Sequence, residues 1–370
     1  MSSSTSGSRA GSSRESSVVV RPIPPGSGFY TAGSRLQAAG LKRAIELFEQ
    51  TAQAVPIPSA PRPVVIADYG AANGHNSLLP ISAAIAVLRK RTRPEQSILV
   101  THTDVPDNDF SELFRVLDED PDSYLKKDHG TYASAVGRSF YTQIIPSNSV
   151  NLGWSAWAVP WLGRLPCPVP DHIHASFSAD AAVRAAHDKQ AAFDWHEFVA
   201  FRGRELCPGG RAVVTTMALS DDGDFGYRPV LQAVMAELTE LVARGVIAEA
   251  ELVRMNLPIV GRRKSDFLAP FAPSGRLEQL SIDHLEVFDA EDRFWQRYQS
   301  DRDARYFGSE WAAFVRAAVF PTLAAVLPDD RRTRFCDELE AGVAARLAAD
   351  PQQIRIPLAL VVLHKRPKAF

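Results

Sequence analysis

Two aspartates sit where an α/β protein holds its ligands. Asp68 ends the β-branched run Val64-Val65-Ile66-Ala67, and Tyr69-Gly70-Ala71-Ala72-Asn73-Gly74-His75-Asn76 then turns into a helical pattern with Leu78, Ile81, Ile85 and Leu88 spaced as one apolar face. Asp104 follows a second apolar strand pattern, Ser97 to Thr101. Strand, tight loop and helix in that order predict a nucleotide-type cofactor site, because such ligands bind at the carboxyl ends of parallel strands. Gly70 and Gly74 let backbone approach a ligand, and the helix start offers unpaired N–H groups. A carboxylate at Asp104 suits the two hydroxyls of a ribose, since it can only accept.

The loop also excludes something. A dinucleotide loop places three glycines as G-x-G-x-x-G, and here the second and third are Ala72 and His75. Asp68 is a poor neighbour for a pyrophosphate and a good one for a cationic group, such as the amino group or sulfonium of S-adenosylmethionine. A nicotinamide-dependent oxidoreductase would use the same strand, loop and helix, and the missing glycines argue against it.

The surrounding elements read as α/β. Leu41, Ile45 and Phe48 lie on one helical face within Phe29 to Gln50, and the helix after the loop spans Asn76 to Arg91. Asp118 to Arg138 is polar and turn-rich, which predicts a surface excursion. Val150 to Trp154 reads as a short strand, and His187 to Leu206 as a long amphipathic helix with Phe193, Trp195, Phe198, Val199 and Phe201. Cys207-Pro208-Gly209-Gly210 breaks that helix and launches the strand Arg211 to Met217, the ordinary way to rejoin a parallel sheet. Helical patterns dominate from about 229 to 347, which predicts a cap over the ligand edge. The run Ile356 to Leu363 is expected to close the sheet at its edge.

With 370 residues, 45% of them hydrophobic and 23% charged, the chain has the composition of a soluble globular protein. A net charge of -2 gives no reason to expect nucleic acid or an anionic membrane as partner, and no run of about 18 apolar residues predicts a spanning helix. Cys167, Cys207 and Cys336 are too far apart for a paired metal or redox motif, which fits thiols in a reducing cytoplasm. Residues 1–17 are mostly Ser, Gly and Arg and are expected to form a disordered tail, with no amphipathic face to make them a transit peptide. His172 and His174 alternate as a metal pair would, but no third ligand follows at a recognisable spacing, and a polar surface segment is the expectation.

Several stretches together resemble the SABATH family of S-adenosylmethionine-dependent methyltransferases, known for methylating salicylate, benzoate, jasmonate and xanthine alkaloids. Tyr30 to Gln37 resembles Y-x-x-N-S-x-x-Q, and Ile66 to Asn76 resembles I-A-D-L-G-C-S-S-G-P-N. Thr103 to Phe110 is similar to N-D-L-P-x-N-D-F, Gly137 to Tyr141 to a G-S-F-Y segment, Trp154 to Pro166 to H-S-S-Y-x-x-x-W-L-S-x-x-P, and Glu205 to Arg211 to E-L-V-P-G-G-R. The likeness runs from about Gly28 to Leu363.

The resemblance implies a Rossmann-like methyltransferase sheet with helices on both faces, a methyltransferase domain over 18–370 with its α-helical cap at about 229–347, and a homodimer. It implies S-adenosylmethionine held by Ser34, Asp68, Gly70, Asn76, Asp104, Val105, Ser139 and Phe140, with Val105 and Phe140 on either side of the adenine. It assigns Gln37 and Trp161, an amide and an indole N–H, as the donors that hold a substrate carboxylate, and Tyr30, Trp154 and Trp157 as further substrate contacts. Three positions depart from the family pattern: Gly33 stands for its asparagine, Trp154 for its histidine and Trp157 for its tyrosine. A magnesium site described in some members loses its carboxylate to Val253, so no metal is expected. The implied reaction is in-line displacement by a carboxylate, which needs no general base. Methylation of a heterocyclic nitrogen and cofactor binding without catalysis stay open.

Overall fold

The computed structural model describes the backbone of residues 30–367 and the side chains of residues 41–367. The tail expected over 1–17 lies outside them. Helix α1 (Tyr30–Ala54) precedes β1 (Val64–Tyr69), a 3-10 turn (His75–Ser77) and α2 (Leu78–Arg89). Next come β2 (Ile98–Asp104), α3 (Phe110–Glu119), α4 (Tyr124–Lys127), β3 (Thr131–Gly137) and β4 (Val150–Ala156). The chain continues through α5 (Ala181–Glu205), β5 (Leu206–Met217) and α6 (Arg228–Ala243) to β6 (Leu280–Asp289) and β7 (Pro357–Lys365). The seven strands form one sheet in the order β3-β2-β1-β4-β5-β7-β6. β1 to β5 run parallel, whereas β7 is antiparallel to both β5 and β6.

Strand alternation sorts the side chains between two cores. Ile66, Leu152 and Trp154 join Phe48 of α1 and Leu78 and Ile81 of α2 on one face, while Ala67, Tyr69 and Val214 join Trp195, Phe198 and Val199 of α5 on the other. Each such large apolar side chain contributes on the order of 1.5–3 kcal/mol by leaving water. A third core lies beyond the carboxyl ends of the strands. There Val230 and Val234 of α6 pack with Trp311 and Phe314 of the helix Ala304–Ala318, Leu339 of the helix Asp329–Ala349, and Leu358 of β7.

Five expectations are corrected. β7 is an interior strand, and its nearly unbroken burial reflects cover on both faces; the edge is β6. β6 lies inside the stretch read as helical, and its mixed run Asp283-His284-Leu285-Glu286 hides it because only one face of an edge strand needs to be apolar. The polar excursion over 118–138 contains α4, which buries Tyr124, and the opposite edge strand β3. α5 starts at Ala181, where the Asp180 carboxylate accepts from the Ala182 and Val183 amides, and Phe193 on it is 59% exposed. The Pro-Gly-Gly breaker lies within β5 as a bulge: pairing with β4 jumps from Val150↔Leu206 to Leu152↔Arg211, and Gly209 takes φ +84°.

Candidate active site

A cavity of about 390 Å³ opens where the carboxyl ends of β1, β2 and β4 meet the third core. That is within the range for a small-molecule site. Among the described lining residues, Asp68, Asp104 and Glu291 are the ionisable acids, and no Lys, Arg or His lines it.

At one end, backbone hydrogen bonds hold the loop that follows β1. The Gly70 and Ala71 amides donate to the Thr103 carbonyl (2.9 Å each), and Asn108 Nδ2 donates to the Ala72 carbonyl (2.8 Å). Gly70 has φ +85°, and a Cβ there would lie 2.3 Å from Ala158 Cβ, so any side chain would collide with the far wall. Asp104 receives one amide on each oxygen: Val105 N to Oδ1 and Ala72 N to Oδ2, both 2.7 Å. Burial pushes its carboxyl above the ordinary value, and the two amides only partly offset this. Each oxygen keeps a second lone pair for a ligand hydroxyl. Asp68 is buried in register with His102, whose Nδ1 meets Asp68 Oδ2 at 2.8 Å. Asn76, Val105, Ser139 and Phe140 line the same end.

These features fit S-adenosylmethionine. A half-buried carboxylate with spare acceptor capacity suits a ribose, Val105 and Phe140 supply apolar surface for an adenine, and Asp68 supplies negative charge for the cofactor's cationic end.

The other end is aromatic and apolar, with Trp157, Trp161, Met217, Tyr227, Phe314, Val319 and Leu358 on its walls. Trp157 adopts φ +59°, and its indole N–H is buried without a partner among the described residues. An unpaired buried donor is costly, on the order of 1–3 kcal/mol. The loop carrying both tryptophans is pinned from below. Buried Arg262 donates to the Val159 and Ala191 carbonyls, the Tyr141 hydroxyl donates to the Trp161 carbonyl (2.6 Å), and the Gly163 amide donates to Asp194 (2.8 Å). Burial lowers the Arg262 guanidinium and raises the Tyr141 hydroxyl and the Asp194 carboxyl. None of these supports carries a sequence signal of its own, because each acts through a contact distant in the chain.

Of the residues picked out from the sequence, Asp68, Gly70, Asn76, Asp104, Val105, Ser139, Phe140, Trp157 and Trp161 meet in this cavity. Trp154 does not line it. Alternation along β4 turns that ring toward α1, where it is fully buried 4.8 Å from Phe48, so it belongs to the core. Tyr30, Ser34 and Gln37 fall in the first turns of α1, and their side chains lie outside the described residues. The segment carrying His172 and His174 is only partly a surface one: Asp171 is exposed and His172 half-buried. His174 is buried between Phe177 and Phe225, and burial holds its imidazole down at about 3.

A family model described as SAM-dependent carboxyl methyltransferase matches residues 25–366. The chain is 28% identical over 250 residues to methyltransferase FUS9 of Gibberella moniliformis; the match covers 67% of this chain and 66% of that protein, just under two thirds of its length. It is 24% identical over 371 residues to anthranilate O-methyltransferase 1 of Zea mays, covering 92% and 94% of the two chains. A solved structure of a loganic acid methyltransferase with SAH shares the fold, with a TM-score of 0.75 at 19% identity over 94% of this chain and 99% of that one. A match over nearly the whole described chain, on a fold whose strand ends carry the cofactor-type site, places this chain in the family of SAM-dependent carboxyl methyltransferases.

Proposed function

We propose that this chain methylates the carboxylate of a small, flat aromatic acid, forming a methyl ester. The observation that carries this reading is a single cavity joining an acid-lined end to an aromatic end. S-adenosylmethionine, when bound, supplies an electrophilic methyl group on a positively charged sulfur. Asp104 would accept from the ribose hydroxyls, Asp68 would face the amino end, and Val105 and Phe140 would flank the adenine, with Ser34, Gly70, Asn76 and Ser139 completing that shell.

At the substrate end, Trp161 and Gln37 would donate to the carboxylate, with Tyr30 as a neighbouring contact. Trp157 would add apolar contact with the acid through its ring. A simple carboxylic acid, with a pKa of about 4, is already ionised at neutral pH, so no side chain has to remove a proton. The protein's work is then to align the acid and exclude water, which lets a positioned pair react with a large effective molarity. The absence of a cation among the described lining residues supports a site in which the acid's counter-charge arrives with the cofactor.

We further read the segments around β6 as a cap on one domain, and the chain as a cytoplasmic homodimer. Unpaired Cys167, Cys207 and Cys336 agree with a reducing compartment, and among the described residues no helix is long and apolar enough to cross a membrane. The test is incubation with isotopically labelled S-adenosylmethionine and a panel of benzoate-like and salicylate-like acids, with products read by mass spectrometry. A labelled methyl ester is expected. A methyl group found on nitrogen would overturn the choice of nucleophile, and cofactor binding without transfer to any acid would favour a non-catalytic role.

A further inference from the structure

Asp68 is the end of a buried chain of side chains that the methyl transfer itself does not require. His102 is fully buried on β2, its Nδ1 lies 2.8 Å from Asp68 Oδ2, and its Nε2 lies 2.8 Å from the Tyr124 hydroxyl of α4. An ionised carboxylate only accepts, so Nδ1 carries the hydrogen. Nε2 of the neutral ring is then an acceptor, and the Tyr124 O–H donates to it. Every polar atom of the imidazole is satisfied in this one tautomer. Burial and the charge of Asp68 both hold Tyr124 in its protonated, donating form.

One carboxylate oxygen is thereby committed to the protein. Asp68 Oδ1 has no partner among the described residues, and Asp68 lines the cavity. Torsion about the Cβ–Cγ bond is broad for an unrestrained aspartate, and a hydrogen bond to one oxygen fixes which oxygen faces the ligand.

We propose that His102 is a positioning residue that, oriented by Tyr124, holds Asp68 with Oδ1 toward the amino group of the bound cofactor. This rests on the cofactor reading above and goes beyond it by assigning a function to a side chain that touches no ligand. It has a consequence that a merely structural histidine would not have: the loss on mutation should depend on whether the ligand carries an amino group.

The experiment is calorimetric binding of S-adenosylhomocysteine and of 5′-methylthioadenosine, which lacks the amino acid part, to the wild-type chain, His102→Leu and His102→Asn. His102→Leu should weaken S-adenosylhomocysteine by about tenfold or more, as expected when a hydrogen bond to a charged group is lost. Its binding of 5′-methylthioadenosine should stay close to wild type. His102→Asn places an amide donor near the position of Nδ1 and should recover most of the lost affinity. Unchanged S-adenosylhomocysteine binding in His102→Leu, or an equal loss for both ligands, would overturn the assignment. If the leucine variant does not fold, Tyr124→Phe, which removes the hydroxyl that orients His102, takes its place: a loss for S-adenosylhomocysteine that spares 5′-methylthioadenosine supports the proposal, and unchanged binding of both ligands or equal weakening of both overturns it. If the wild-type chain binds neither ligand, the cofactor reading fails and this assignment with it.

Discussion

At one end of the cavity Asp68, Gly70, Asp104 and Val105 come from two adjacent strand ends within residues 68–105, and their geometry is set by backbone amides and short side-chain hydrogen bonds. At the other end Trp157, Met217, Tyr227, Phe314, Val319 and Leu358 come from six places spread over residues 157–358, and their geometry is set by packing. The first arrangement tolerates little variation, because a carboxylate that must meet two amides at 2.7 Å has few alternatives. The second is open to change, since apolar walls keep their character when one ring or methyl group replaces another. On the proposed function, the contrast separates holding one cofactor from choosing an acid.

The sharpest way to break that contrast is at Asp104. Asp104→Ala removes the proposed ribose acceptor, and cofactor affinity should fall by about 1.5–3 kcal/mol, the worth of hydrogen bonds to a charged group. Titration of a folded variant with S-adenosylhomocysteine checks it, and unchanged affinity would remove Asp104 from the site. Next in size is Trp161→Phe, which keeps most of the ring and deletes the N–H. Turnover of the preferred acid should show a KM raised by about tenfold, near the lower end for such a bond because other donors remain, with S-adenosylhomocysteine affinity unchanged. A loss of cofactor binding instead would mean that the two ends are not separable.

The same division explains how much of the molecule is legible in the sequence. The cofactor end was legible because its residues lie on one strand-loop-helix unit and its neighbour, where spacing along the chain is nearly spacing in the fold. The parallel strands and the acids at the strand ends follow from local pattern. Trp154 misled, because its position beside the motif says nothing of which face of β4 it occupies, and only the packing of α1 decides that. His102 was invisible for the opposite reason. It stands two residues before Asp104 in an apolar strand, and its relation to Asp68 exists only through the register of β1 with β2. β6 escaped because an edge strand with Asp, His and Glu has the composition of a loop.

A smaller effect is expected at Val319, in the proposed cap. Val319 is almost fully buried and lines the aromatic end, so Val319→Ala should widen the cavity by two methyl groups. The unsubstituted acid should lose about 1 kcal/mol of transition-state binding, several-fold in kcat/KM, while an acid bearing one extra methyl should gain. Parallel losses for both acids would show that Val319 supports the fold without shaping the site.

The smallest change is expected for pH near neutrality. The described walls carry no histidine, and the proposed nucleophile is ionised well below pH 7, so kcat/KM should vary by less than about twofold between pH 7 and 8. On the acid side the sign follows from Asp104. Its carboxyl in the ligand-free chain lies above the ordinary value because it is buried, and ribose hydroxyls need it ionised. Cofactor binding should therefore weaken as pH falls through that raised value, earlier than an unperturbed carboxylate would allow, and binding in that window should release a proton. Calorimetry in two buffers of different ionisation enthalpy measures the proton directly. Proton uptake on binding, or a rate that follows a group titrating near neutrality, would place a titrating side chain in the chemistry and end the view that alignment alone separates the two ends of the cavity.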